Sequence, residues 1–172
     1  MIKILVTGHF SAGKTEFIKS LSENPLLTEV NITSSGEKSV KEKTTVAMDY
    51  GKVKIDDKTV HLFGTPGQER FDFMLDVLGR HHHGAVVILD STDLEGIKKS
   101  EKFIEHCRKE GRPFVIACNK QDRKNAKSVR YISDMFNLPE GIFVPLNAKD
   151  RKSCLYVLNR ILHFITVYSR AA

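Results

Sequence analysis

Apolar positions fall in short runs, and between the runs the spacing changes to a helical period. The runs Lys3–Thr7, Val46–Ile55, Thr59–Phe63, Ala85–Leu89, Phe114–Cys118 and Ile142–Pro145 read as strands. Helices are expected over Lys14–Ser22, Arg70–Leu78, Glu95–Lys109, Lys127–Phe136 and Arg151–Tyr168. In the last of these, Leu155, Leu158, Leu162 and Ile165 recur at three-to-four spacing, which makes one face apolar. On Glu95–Lys109, the pairs Glu95/Lys99 and Glu105/Lys109 have the favourable i,i+4 polarity. Asp56-Asp57 is a hairpin-turn signal, so the second and third strands should be antiparallel. Strands alternating with helices imply an α/β fold, a six-stranded and mostly parallel sheet covered on both faces. Glu23–Lys43 shows no such pattern and reads as a long loop, either an enlarged functional segment or an insertion without a role.

The chain has 172 residues, enough for one domain over 1–172 with its own core. No apolar run of about 18 residues occurs, Ile2 stands where an N-terminal lipid would need glycine, and the last residues form no prenylation box. No intrinsic membrane anchor is therefore expected. Cys107, Cys118 and Cys154 are odd in number and lack metal-ligand spacing, which suits buried thiols in a reducing cytoplasm. The net charge of +6 is scattered, and reads as a solvated basic surface without a nucleic-acid partner.

The chemistry begins at "GHFSAGKT", Gly8 to Thr15, which fits G-x-x-x-x-G-K-[ST] between a strand and a helix. In that setting backbone N–H groups and a helix N-terminus hold phosphates. Gly8, Phe10, Ser11, Ala12, Gly13, Lys14, Thr15 and Glu16 are the expected nucleotide contacts. Lys14 sets its charge against the β- and γ-phosphates, and the Thr15 hydroxyl is a Mg²⁺ ligand. Phe10 is bulky for its place near the γ-phosphate. The preferred expectation is that it turns away and packs beneath the neighbouring segment; the alternative is that it obstructs an incoming arginine.

"CNKQD" follows an apolar strand, and Asn147-Ala148-Lys149 follows the last one. The Asp122 carboxylate can accept from two guanine N–H donors that adenine lacks. Asn119 would brace the loop and contact N7, and Lys120 would lie over the ring. Ala148 and Lys149 complete the set, with the Ala148 N–H facing the guanine oxygen.

With these motifs in order, the chain resembles the Ras-like small GTPase superfamily over essentially its full length. In motif style it is similar to prokaryotic small GTPases of the gliding-protein MglA and conservon types, which carry T-V-A-M-D-[FY]-G and G-T-P-G-Q as Thr45–Gly51 and Gly64–Gln68 do here. The resemblance implies a three-layer P-loop NTPase fold. It implies that Thr45 ligates Mg²⁺ and touches the γ-phosphate, that the Gly67 N–H senses that phosphate, and that Gln68 orients the attacking water. Arg70 and Phe71 would face a partner, a protein effector or activator, which in prokaryotic relatives is often a roadblock-type protein.

One residue departs from the pattern. Gly64 stands where the superfamily has an Asp that grips a water on the metal. Losing such a group typically costs about 10–100-fold in metal affinity or activity, a weakened and not an abolished site. Asp49 or a water could take its place. The expected activity is thus hydrolysis of GTP to GDP with Mg²⁺, slow without an activator, catalysed through Lys14, Thr45 and Gln68. The rivals are a guanine-nucleotide scaffold that does not turn GTP over and an RNA-associated GTPase. His81-His82-His83 reads as a structural turn, and Arg123, Lys124, Lys127 and Arg130 as a solvated face.

Overall fold

A computed structural model describes residues 1–34, 42–67, 75 and 80–172, with the backbone alone described over 26–34 and 42–47. The strands are β1 (Ile2–Thr7), β2 (Leu26–Ser34), β3 (Glu42–Ile55), β4 (Lys58–Gly64), β5 (Gly84–Asp90), β6 (Phe114–Asn119) and β7 (Phe143–Pro145). The described helices are α1 (Lys14–Leu21), α2 (Leu94–Lys99), α3 (Glu101–Glu110), α4 (Val129–Phe136) and α5 (Arg151–Ala171), with a short 3₁₀ turn at Glu140–Ile142.

All the strands join one sheet in the order β2-β3-β4-β1-β5-β6-β7. The β4-β1-β5-β6-β7 side is parallel, and β2-β3-β4 is an antiparallel ribbon. The six expected strands all form, and β2 adds a seventh at the edge. The long loop expected over Glu23–Lys43 is corrected here: Leu26–Ser34 pairs with Glu42–Tyr50 along its whole length. Its sequence, LLTEVNITS, carries Leu, Val, Ile and Thr, which suit a strand. At an edge, however, the partner strand supplies the order, and the apolar alternation that would announce it is weak.

Period-two alternation divides the core. Ile4 and Val6 of β1 point to one face with Val60, Leu62, Val86 and Ile88, where α1 and α5 cover them through Phe17, Leu21, Leu158 and Ile161. Leu5 points to the other face with Val87, Leu89 and Ile116, under Ile97, Phe103, Ile104 and Ile132. Each fully buried side chain of this size contributes roughly 1.5–3 kcal/mol. All of β5 is buried, as a strand covered on both faces must be.

Helix ends follow local chemistry. Asp93, Ser128 and Asp150 cap α2, α4 and α5, their side-chain oxygens accepting from Gly96, Tyr131 and Lys152 backbone N–H groups. The single helix expected over Glu95–Lys109 is two helices, meeting at buried Ser100, whose hydroxyl donates to the Gly96 carbonyl at 2.8 Å. Two ion pairs at i,i+3 lie along these helices, Glu95–Lys98 and Glu105–Arg108, both 3.1 Å. The Arg70–Leu78 helix lies outside the described residues apart from Leu75, which is buried.

The histidine triple is a structural turn. The His83 backbone N–H donates to the Lys3 carbonyl at 2.8 Å, and the Lys3 N–H returns a bond to His83 Nδ1 at 3.0 Å. His82 is buried, and its carbonyl accepts from Arg112. Among the described residues, no helix is long and apolar enough to cross a membrane.

Candidate nucleotide site

The loops that follow β1, β5, β6 and β7 gather at the C-terminal edge of the parallel strands, where open α/β sheets bind ligands. The loop after β1 needs its glycines. Gly8 has φ 145°, and a Cβ there would lie 2.0 Å from the Ile88 carbonyl oxygen. Gly13 has φ 108°, and a Cβ there would lie 2.2 Å from Asn119 Nδ2. Both positions exclude a side chain by space as well as by φ.

Lys14 opens α1 and is only 7% exposed. It donates to the carbonyls of Gly8 at 2.8 Å and His9 at 2.7 Å. Burial pushes its pKa down to about 8, against the pull of the Asp49 carboxylate. A buried ammonium held by neutral carbonyls is a cation poised for an anion.

Thr15, the next residue, donates its hydroxyl to Asp49. Asp49 lies directly across the β3–β4 ladder from Gly64. A Cβ on Gly64 would come within 2.9 Å of Ile18 Cδ1 and 3.1 Å of Asp49 Cβ. The space that an acid at position 64 would need is therefore already narrowed by Asp49 and Ile18, and the carboxylate near Thr15 comes from the adjacent strand.

Gly67 also approaches closely. A Cβ on it would sit 2.8 Å from Phe10 Cα and 2.6 Å from Lys14 Nζ. Just before it, Thr65 is strapped to β1, its N–H on the Val6 carbonyl at 2.9 Å and its hydroxyl on Thr7 at 2.8 Å. Phe10 does not pack beneath its neighbours: it is 64% exposed, which corrects the preferred expectation.

Asn119 joins three segments. Its Nδ2 donates to the Ala12 carbonyl at 2.9 Å, and its Oδ1 accepts from Lys120 N–H at 2.8 Å and Ala148 N–H at 2.9 Å. Ala148 thus turns its N–H inward to Asn119 in this structure. Its carbonyl accepts from Ser20 at 2.5 Å, which ties this loop to α1. The Asp122 carboxylate is half-exposed, with Arg123 Nε at 3.9 Å. Lys149 N–H is held by Asn147 Oδ1 at 3.2 Å. Ser11 (φ 60°) and Lys120 (φ 65°) are left-handed, and residues other than glycine stay there only where their surroundings hold them.

Two expected residues stand apart. Thr45 lies within β3, paired in the backbone with Asn31 and four residues before Asp49, roughly 13 Å along a strand. Gln68, like Arg70 and Phe71, lies outside the described residues. Sequence reasoning gave no role to His9 or Asp90, which the structure places between the loops. The only signals were a histidine inside the phosphate loop and an acid closing the apolar run of β5.

The three cysteines are buried and their thiols pushed up to about 12 by burial, the environment of inert structural thiols. Among the described residues, no cluster of three or more His, Cys, Asp or Glu could hold a metal.

A buried lysine in a glycine loop at the sheet's C-terminal edge defines a P-loop nucleotide-binding protein. The family described as "Conserved hypothetical ATP binding protein" matches residues 26–166, and the chain belongs to it. It is 36% identical to an uncharacterized protein of Methanocaldococcus jannaschii over 163 residues, covering 94% of this chain and 95% of that one. Similarity extends to GTPases. It is 29% identical to ADP-ribosylation factor-related protein 1 of Rattus norvegicus over 138 residues, 78% of this chain and 66% of that protein. It is 27% identical to translation initiation factor IF-2 of Syntrophotalea carbinolica over 167 residues, 92% of this chain and 16% of the factor. The chain spans slightly less than two thirds of the ADP-ribosylation factor-related proteins. These relationships make it a nucleotide-binding protein with similarity to small GTPases.

Proposed function

We propose that the protein is a guanine-nucleotide switch over 1–172 that hydrolyses GTP to GDP with Mg²⁺, slowly unless activated, and regulates a protein partner in the cytoplasm. The observation that carries this reading is Asn119, which links the phosphate loop at Ala12, the base loop at Lys120 and the last loop at Ala148. That linkage leaves Asp122 half-exposed beside the site, a carboxylate suited to the paired N–H donors of guanine. The matching family is described by ATP, so the choice of base is the first thing to test.

The donors fit a hard cation. Thr15 and Asp49 offer oxygen ligands beside the buried Lys14, and Mg²⁺ takes few protein ligands, phosphates and water filling the rest. Thr15, with Asp49 as the acid that Gly64 does not supply and Thr45 once its strand is repositioned, would hold the ion. When bound, Mg²⁺ neutralises charge developing on the phosphate oxygens. Lys14 leaves the Gly8 and His9 carbonyls for the β- and γ-phosphates. The Gly67 N–H reports the γ-phosphate, and Gln68 orients water toward it. The partner surface includes Arg70 and Phe71, and a roadblock-type activator is the expected class, in keeping with the MglA-like motif style.

The test is calorimetry of GTP, GDP and ATP with Mg²⁺ and with EDTA, followed by single-turnover hydrolysis. GTP should bind far more tightly than ATP and at least tenfold more tightly with Mg²⁺, about 1.4 kcal/mol. Gln68→Leu should greatly reduce turnover. If wild-type turnover is negligible and Gln68→Leu changes nothing, the scaffold reading replaces the switch.

A further inference from the structure

One side chain braces the phosphate loop in a way the motif does not require. His9 is 6% exposed, and backbone groups engage both ring nitrogens. Nδ1 lies 2.9 Å from the Phe10 carbonyl oxygen, and the Asp90 N–H points at Nε2 from 3.0 Å. A carbonyl only accepts and an amide N–H only donates, so these partners assign the hydrogen to Nδ1 and leave Nε2 bare. Burial holds the ring's pKa below its ordinary value. Lys14 acts the same way, and together they outweigh the Phe10 carbonyl and the Asp93 and Asp90 carboxylates. The ring is also wedged against α2, where a Cβ on Gly96 would come within 2.5 Å of Cε1.

Asp90 continues the chain of contacts. Its Oδ2 accepts from Lys120 Nζ at 2.5 Å, and its Oδ1 from Thr92 N–H at 2.9 Å and the Thr92 hydroxyl at 2.7 Å. The path Phe10–His9–Asp90–Lys120 therefore crosses from the phosphate loop to the base loop by way of the end of β5. It is separate from the Asn119–Ala12 link.

We infer that His9 is a positioning residue for nucleotide binding: it fixes the Phe10–Ser11 peptide and, through Asp90, couples the phosphate loop to Lys120. In a trans peptide the N–H points opposite the C=O, so holding the Phe10 carbonyl sets the direction of the Ser11 N–H, one of the cradle's donors. It also supports the left-handed conformation at Ser11. The inference rests on the guanine-nucleotide reading above.

The test compares GDP affinity, by calorimetry, in the unaltered chain and in His9→Leu, His9→Gln, Lys120→Met and the His9→Leu/Lys120→Met double variant. His9→Leu strands the Asp90 N–H, and GDP should bind about tenfold more weakly. His9→Gln retains a donor and an acceptor and should bind within about threefold of the unaltered chain. The double variant should lose at least about fivefold less than the product of the two single losses, because both act on one path. A merely structural histidine would give multiplicative losses and no rescue by glutamine, and either result overturns the inference. Nitrogen-15 NMR of the imidazole, in the unaltered protein without nucleotide, provides a readout that does not depend on the variants folding. Protonated Nδ1 with bare Nε2 supports the strut, and protonated Nε2 overturns it. Failure of the unaltered chain to bind GDP would sink the functional reading as well, whereas binding that His9→Leu leaves intact sinks this inference alone.

Discussion

The two halves of the sheet hold the site in different ways. On the parallel side, the groups proposed to meet the phosphates and the base are locked by buried and half-buried bonds. Asn119 alone makes three, and His9 and Asp90 add a second brace. On the antiparallel ribbon, the Asp49 carboxylate is held differently, accepting from the hydroxyl of the exposed Thr15. Thr45 lies farther out on the same ribbon, in register with an edge strand. In the proposed switch, binding groups would be preorganised on the parallel side, and groups that respond to the γ-phosphate would sit on the ribbon. A nucleotide has to join the two halves.

The largest effect should come from the rigid half. Asp122→Ala removes the acceptor for two guanine N–H groups, and a site built to pair such donors discriminates steeply against a base without them. GTP affinity should fall by about a thousandfold while ATP affinity changes little, so that preference for guanine nearly vanishes. Competition titrations with both nucleotides measure this. If ATP binds the unaltered chain as well as GTP does, the family's description holds for this chain too, and the base loop has been misread.

On the ribbon the effect should be smaller and reversible by design. Asp49→Ala should lower Mg²⁺-dependent GTP affinity about 10–100-fold. Gly64→Asp alone should crowd Asp49 and Ile18, at a cost of about 1–3 kcal/mol of stability. Combined, the two changes move the acid to the other strand of the ladder and should recover most of the metal dependence. A combined variant no better than Asp49→Ala would show that the carboxylate on β3 has no such role.

These halves were unequally legible in the sequence. Gly8, Gly13 and Lys14 announce themselves because a tight backbone curl and a phosphate admit few residues. Strands β1, β5 and β6 do so because burial on both faces keeps most of their positions apolar. The β2 strand was not legible: its order comes from pairing with β3, which is long-range information. The sequence admits Asp49 as a substitute for the missing acid, but only the register opposite Gly64 brings it to Thr15. The division at Ser100 was hidden because a serine hydroxyl can bond within a helix as easily as interrupt one. His9 and Asp90 lie 81 residues apart, and no local pattern relates them.

Lys14 stands between the halves, and pH should expose its position. In the folded, nucleotide-free protein it loses its proton near pH 8, whereas the unfolded chain keeps it to about 10.5. Between those values the unfolded state binds more protons, so stability should rise with pH, by at most about 3 kcal/mol. Denaturant melts at pH 7.5, 9 and 10, referenced to Lys14→Met, isolate this contribution. Nucleotide reverses the preference, since phosphates favour the ammonium. GDP affinity should therefore decline above about pH 8 in the unaltered chain, and less in Lys14→Arg, which stays charged. Equal decline in both would place the titration elsewhere.

The smallest effect on stability should be at Phe10, and it separates packing from access. The ring is 64% exposed, so Phe10→Ala should change stability by no more than about 0.5 kcal/mol. It projects from the glycine loop after β1, beside the close backbone of Gly67. If the ring obstructs an arginine entering from a partner, guanidinium ion should accelerate single-turnover GTP hydrolysis more in Phe10→Ala than in the unaltered chain. Equal stimulation would mean the ring guards nothing. A loss of stability above 1.5 kcal/mol would mean instead that it packs against the ribbon, tying together the two halves that the rest of the site keeps apart.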